Sequence, residues 1–109
     1  NRYFIDGVQQ KTLVVKAGQT YKFSYPSAHP FKFSTTANGT HAGGNEYASG
    51  VTVGTNEITI TMPNSSSVTT LYYYCSAHSG MGGTIIIKDQ TASIGGGGGL
   101  GGGGGGSGY

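Results

Sequence analysis

Apolar side chains in this chain recur at every second position, and that rhythm narrows the possible folds more than any other feature. Tyr21, Phe23 and Tyr25 alternate with Lys22 and Ser24, and Ile58, Ile60 and Met62 alternate with Thr59 and Thr61. Successive side chains of a strand point to opposite faces, so a period of two describes a strand with one buried face. A helix needs apolar residues three and four apart, and no window sustains that repeat. Short β-branched and aromatic runs of strand length cover residues 3–5, 12–16, 20–25, 31–35, 51–53, 57–62, 70–75 and 84–88. Asp6-Gly7, Ala17-Gly18, Asn38-Gly39, Val53-Gly54 and Pro63-Asn64 fall between these runs and supply turns. About eight such strands predict an all-β chain, an antiparallel β-sandwich with Greek-key connections. The stretch 36–50, with His41, Gly43, Gly44, Asn45 and Gly50, reads as a long surface loop.

Composition changes abruptly after Ile94. Twelve of the 22 glycines lie in the stretch 95–109, which is broken only by Leu100, Ser107 and Tyr109. Glycine loses more backbone entropy on ordering than any other residue, so this segment reads as a flexible linker, or as a tail held extended by neighbouring chains in an assembly. The expected organisation is therefore one β-sandwich domain over residues 1–94 and a Gly-rich linker or assembly tail over 95–109. A domain of that size can bury an adequate core if two sheets pack face to face. Cys75 is the only cysteine, so it is free, metal-bound or paired with another molecule.

Charge excludes further classes. Charged residues make up 9% of the chain, the formal net charge is +2, and the six Lys and Arg residues are scattered, which gives no electrostatic basis for nucleic-acid binding. Apolar runs such as Ile85-Ile86-Ile87 fall far short of the roughly 20 residues of a membrane-spanning helix. A start at Asn1, with no recognisable signal peptide, fits a processed product or a segment of a longer chain. Abundant Thr, Ser, Asn, Gly and Tyr with little charge suggest an extracytoplasmic or particle-surface module. Asn38-Gly39-Thr40 and Asn64-Ser65-Ser66 match glycosylation triplets, which arise often by chance and receive no functional weight.

The densest chemistry lies in Tyr72-Tyr73-Tyr74-Cys75-Ser76-Ala77-His78-Ser79-Gly80-Met81-Gly82-Gly83, where a thiol, an imidazole and a thioether follow one another at the end of a strand. A trigonal set of two histidines and a cysteine with a weak axial methionine is the ligand pattern of a blue-copper site. His29, just before the strand that begins at Phe31, supplies the second imidazole if that strand lies beside the one ending at Cys75. The strand fixes the thiolate while the turn folds His78 and Met81 back around it, and Gly80, Gly82 and Gly83 permit the tight return. Zinc as a substitute, or a retained ligand set with no metal in use, are the other readings. His41 lies in the Gly-rich loop and is expected to be solvent-exposed. The three consecutive tyrosines are expected to serve packing and cross-strand pairing, with Tyr74 also a candidate to line an electron path.

Over roughly residues 1–90 the sequence resembles the cupredoxin family, and its Cys-x-x-His-x-x-Met loop is most similar to the short ligand loop of amicyanins. The resemblance implies one copper ion per domain, equatorial ligands His29, Cys75 and His78, and an axial Met81. It also implies that Leu71 and Tyr73 face inward with Cys75 while Tyr72 and Tyr74 lie on the other face. A narrower resemblance runs through Tyr3-Phe4-Ile5-Asp6-Gly7-Val8, His29-Pro30-Phe31-Lys32-Phe33-Ser34-Thr35-Thr36, Asn38-Gly39-Thr40-His41, Glu46-Tyr47 and the ligand loop. These segments look like cupredoxin-like modules of marine bacterial surface proteins and of phage virion structural proteins.

Catalysis is not expected of this domain. Oxidases and reductases that resemble cupredoxins need further histidines for a second copper centre, and this chain has three in all, with four acidic residues and no nucleophile triad or phosphate-binding loop. Two functions remain, and both can hold for one copper-competent domain used as a building block of a larger extracellular or particle-surface assembly. In one, the domain is a copper-dependent electron carrier that meets a redox partner protein at the exposed edge of His78. In the other, it is a structural or adhesive module of an appendage or virion, assembled as a homo-oligomer through its tail.

Overall fold

The alternating runs become strands whose buried residues are the apolar partners of each alternation. The computed structural model describes residues 1–64 and 68–89. The expected domain boundary at residue 94 and the Gly-rich tail lie outside the described residues. Nine strands follow in order: β1 (Phe4–Ile5), β2 (Val8–Gln9), β3 (Leu13–Lys16), β4 (Thr20–Ser24), β5 (Phe31–Ser34), β6 (Val51–Gly54), β7 (Glu57–Thr61), β8 (Thr70–Cys75) and β9 (Gly83–Lys88). The described residues contain no α-helix, and no helix there is long and apolar enough to cross a membrane. β2, two residues long, has no signal of its own in the sequence. It closes a hairpin on β1 across Asp6 and Gly7, whose φ values of 51° and 81° are those of the tight two-residue turn that matches strand twist.

Strand order is β3-β9-β8-β5 in one sheet and β4-β7-β6 in the other, with the β1-β2 hairpin beside them. Tyr21 and Phe23 of β4 and Ile58 and Ile60 of β7 share one buried cluster with Leu13, Val15, Phe31, Phe33, Leu71, Tyr73, Cys75 and Ile85 of the larger sheet. Phe23 reaches across to stack on Phe31 at 5.0 Å and to meet Phe33 edge-on at 5.9 Å. The two inner faces thus form one sandwich-like core. One pairing departs from the expected antiparallel scheme, because β3 and β9 run parallel, with Leu13 opposite Ile85 and Val15 opposite Ile87. No short turn joins these strands, so burial of their alternating apolar residues, rather than hairpin geometry, sets their direction.

Leu71, Tyr73 and Cys75 face the core as expected, with Tyr72 half-buried on the opposite face. Tyr74 shares that outer face yet is fully buried. The stretch expected to be a long surface loop covers it: a 3-10 turn, Gly39–Ala42, lies against the Tyr74 ring, and Ser34 bridges to Glu46 behind it. Lys32 and Glu46 add a 3.6 Å ion pair along the same seam.

Tyr73 is the most demanding core residue. Its ring stacks on Phe31 at 5.1 Å with 10° between planes, and its hydroxyl donates to the Lys11 carbonyl at 2.7 Å. Burial pushes its hydroxyl pKa up from 10.0 to about 12. A raised pKa means that the unfolded chain ionises first, so this contribution is complete below pH 10 and is lost as pH rises towards 12. Tyr73→Phe is expected to remove about 1.4 kcal/mol per pH unit from the slope of unfolding free energy in that window. Denaturant titrations across that window check this, and an unchanged slope contradicts it.

Candidate metal centre

The position of His29 follows from strand pairing. β5 and β8 are antiparallel with Phe31 opposite Cys75, and the ladder continues one step further, where the Ser76 amide donates to the Pro30 carbonyl at 3.0 Å. His29 therefore lies beside the start of the ligand loop, 46 residues from Cys75 in the chain. Its amide donates to the Pro26 carbonyl in a tight turn, and its carbonyl accepts a hydrogen bond from the buried Tyr3 hydroxyl. The Tyr3 amide meanwhile donates to the Met81 carbonyl at 2.9 Å. A single N-terminal residue thus ties together the backbones of His29 and Met81.

The ligand loop returns against β8 with no space to spare. Gly80 takes a left-handed φ of 79°. A Cβ on Gly82 would fall 1.7 Å from the Tyr73 carbonyl oxygen, so only glycine fits there. Gln10 fastens the same turn, its amide donating to the Gly82 and Gly80 carbonyls at 2.8 and 3.1 Å. Met81, between these glycines, is buried in the core cluster.

Three donor atoms converge above this frame. The His29 and His78 Nδ1 atoms are 3.2 Å apart, and the Cys75 Sγ is 3.9 Å from the first and 3.7 Å from the second. With metal bonds of about 2.3 Å to thiolate and about 2.0 Å to imidazole, a trigonal centre places sulfur and nitrogen about 3.7 Å apart and the two nitrogens about 3.5 Å apart. The observed triangle matches those separations closely enough for the side chains to hold an ion with only small adjustments. When no ion is held, an Nδ1–H of one imidazole can donate to the other. Met81 stands close to these three in the β-rich fold. The sulfur is buried, His29 is half-buried and His78 is exposed, so the centre is closed on the thiolate side and reaches solvent at His78. All four residues singled out in the sequence come together.

His41 matches its expected exposure and adds a contact that the sequence did not show. The residue is exposed, but its Nε2 is 2.7 Å from the Cys75 carbonyl oxygen and its ring meets Tyr74 edge-on at 6.2 Å. Because a carbonyl only accepts, Nε2 carries the proton. Sequence reading also missed Tyr3, Gln10 and Asn38 as supports of the loop. The only local signal was at Asn38, a residue type that tolerates the left-handed conformation it adopts. In the triplet Asn38-Gly39-Thr40 the Asn38 amide nitrogen donates to the Ser79 hydroxyl at 2.8 Å. The second triplet lies partly outside the described residues.

No protein-family model, curated protein or solved structure matches the chain.

Gly82→Ala tests that geometry. Its methyl group must displace the Tyr73 carbonyl or push the loop away from β8, an overpacking that costs about 1–3 kcal/mol. Chemical denaturation should read that loss. Wild-type stability in this variant contradicts the close approach of loop and strand.

Proposed function

We propose that the protein is a copper-binding module of cupredoxin type, with a mononuclear type 1 site suited to one-electron transfer. The observation that carries this reading is the triangle of one buried cysteine sulfur and two imidazole nitrogens at 3.2, 3.7 and 3.9 Å. Donor chemistry favours copper over zinc. Structural zinc sites take four strong ligands from cysteine, histidine and carboxylate, whereas the fourth residue near this cluster is the thioether Met81, and among the described residues no carboxylate belongs to the cluster. Thiolate, two imidazoles and a weak thioether are the copper set.

The roles of the chain's own residues follow from their surroundings. Cys75 presents its sulfur from the end of a strand locked in both ladders of the larger sheet, where water is excluded. His29 and His78 each offer Nδ1, which leaves Nε2 of the exposed His78 directed away from the centre, towards a redox partner protein. Met81 is held by glycines on both sides and by the Tyr3 amide. Copper, when bound, supplies the one-electron couple. The fixed donors limit the rearrangement that a change of oxidation state requires.

In its biological setting we infer a building block of a larger extracellular or particle-surface assembly rather than an enzyme. This part of the reading rests on the low charge and on the Gly-rich stretch 95–109. A purely structural or adhesive module is the competing outcome.

Adding Cu(II) to the purified protein separates the two. An intense thiolate-to-copper absorption and narrow hyperfine splitting in the electron-paramagnetic-resonance spectrum are expected, and both should vanish in Cys75→Ser. A colourless protein whose thermal stability is indifferent to Cu(II) overturns the copper reading.

A further inference from the structure

The metal-binding reading leaves unexplained why the 3-10 turn is built so firmly over the outer face of β8. Gly39 has a φ of 54°, and a Cβ there would lie 2.5 Å from carbons of the Tyr74 ring. The turn is therefore seated directly on that ring. Its ends are tied as well: the Gly39 amide donates to the Thr36 carbonyl at 2.9 Å, and the Gly44 amide donates to the Gly39 carbonyl at 3.0 Å. Behind it, the Ser34 hydroxyl donates to the Asn45 carbonyl and accepts from the Thr36 amide.

From this seat two side chains reach the ligand loop. The Asn38 amide nitrogen donates to the Ser79 hydroxyl at 2.8 Å, and its carbonyl oxygen accepts from the Gly80 amide at 2.9 Å. His41 Nε2 donates to the Cys75 carbonyl at 2.7 Å. The three contacts grip the loop at its first residue and at the two residues after His78. None of the gripping atoms belongs to the donor triangle.

We propose that Asn38 and His41 are positioning residues, a clamp that sets the Cys75-to-Gly80 loop in its metal-holding shape before any ion arrives. The inference rests on the metal-binding reading above. Its physical basis is the orientation of ligands by surrounding hydrogen bonds, which avoids ordering the loop at the moment of binding. Left-handed backbone at Asn38 is the local cost of pointing both of its amide atoms at the loop.

The test measures Cu(II) affinity, by competition with a chromophoric chelator, for Asn38→Ala, His41→Ala, His41→Gln and Asn38→Asp. The alanine variants should bind about 10–100-fold more weakly, with a shifted thiolate-to-copper band. His41→Gln keeps a donor for the Cys75 carbonyl and should recover most of the affinity. Asn38→Asp keeps the acceptor for the Gly80 amide and should fall between alanine and wild type. A general loss of stability would not be rescued in this pattern. Affinities within about twofold of wild type, with an unchanged band, overturn the clamp.

Hydrogen exchange of the Gly80 amide in the metal-free protein separates failure of the clamp from failure of the copper reading. If wild-type protein binds no Cu(II), that reading falls, and the clamp is judged on exchange alone. Faster exchange in Asn38→Ala but not in Asn38→Asp supports it, and equal exchange in all variants overturns it.

Discussion

The pairing of β5 with β8 in the register that sets Phe31 opposite Cys75 is the constraint on which the site and much of the core depend. A slip of one residue would turn every side chain of one strand to the opposite face. Leu71, Tyr73 and Cys75 would leave the core, the stack of Tyr73 on Phe31 would be lost, and His29 would no longer flank the thiol. The apolar area buried by these aromatic residues therefore also specifies the placement of the donors. A weakly patterned strand pair could not hold two residues so distant in sequence at bonding separation.

Rigidity around the donors has several independent sources. The Ser76 amide prolongs the ladder into the loop, Gly82 presses the returning chain against the Tyr73 carbonyl, and Gln10 and Tyr3 fasten the loop from the N-terminal hairpin side. Each contact is modest, with a net worth of about 1 kcal/mol for a typical hydrogen bond. Together they surround a buried sulfur and leave one imidazole exposed. Such a gradient shields the sulfur and leaves the cluster open to solvent at His78.

Much of this was legible in the sequence because its signals are local. The alternation at Tyr21, Phe23, Ile58 and Ile60 survives directly as burial, and the Cys-x-x-His-x-x-Met spacing lies within one strand end and one turn. His29 was identifiable because it precedes a strand whose neighbour could be guessed. What escaped depends on residues brought together from afar. β2 is two residues long, too short for any periodicity to register. The parallel pairing of β3 with β9 has no turn to announce it. The resemblance implied only that Tyr74 lies on the face opposite Cys75, and the folded loop shows that its ring is covered. His41 contacts Cys75 across 34 residues of sequence, and its Gly-rich surroundings gave no hint of an anchored imidazole.

X-ray absorption at the copper edge of the loaded protein identifies the atoms bound to the metal and so decides whether His29, Cys75 and His78 hold it. One sulfur and two imidazole nitrogens at short distance are expected, with little change between the oxidised and reduced forms. A shell of nitrogen and oxygen alone, with no short sulfur, would contradict that expectation.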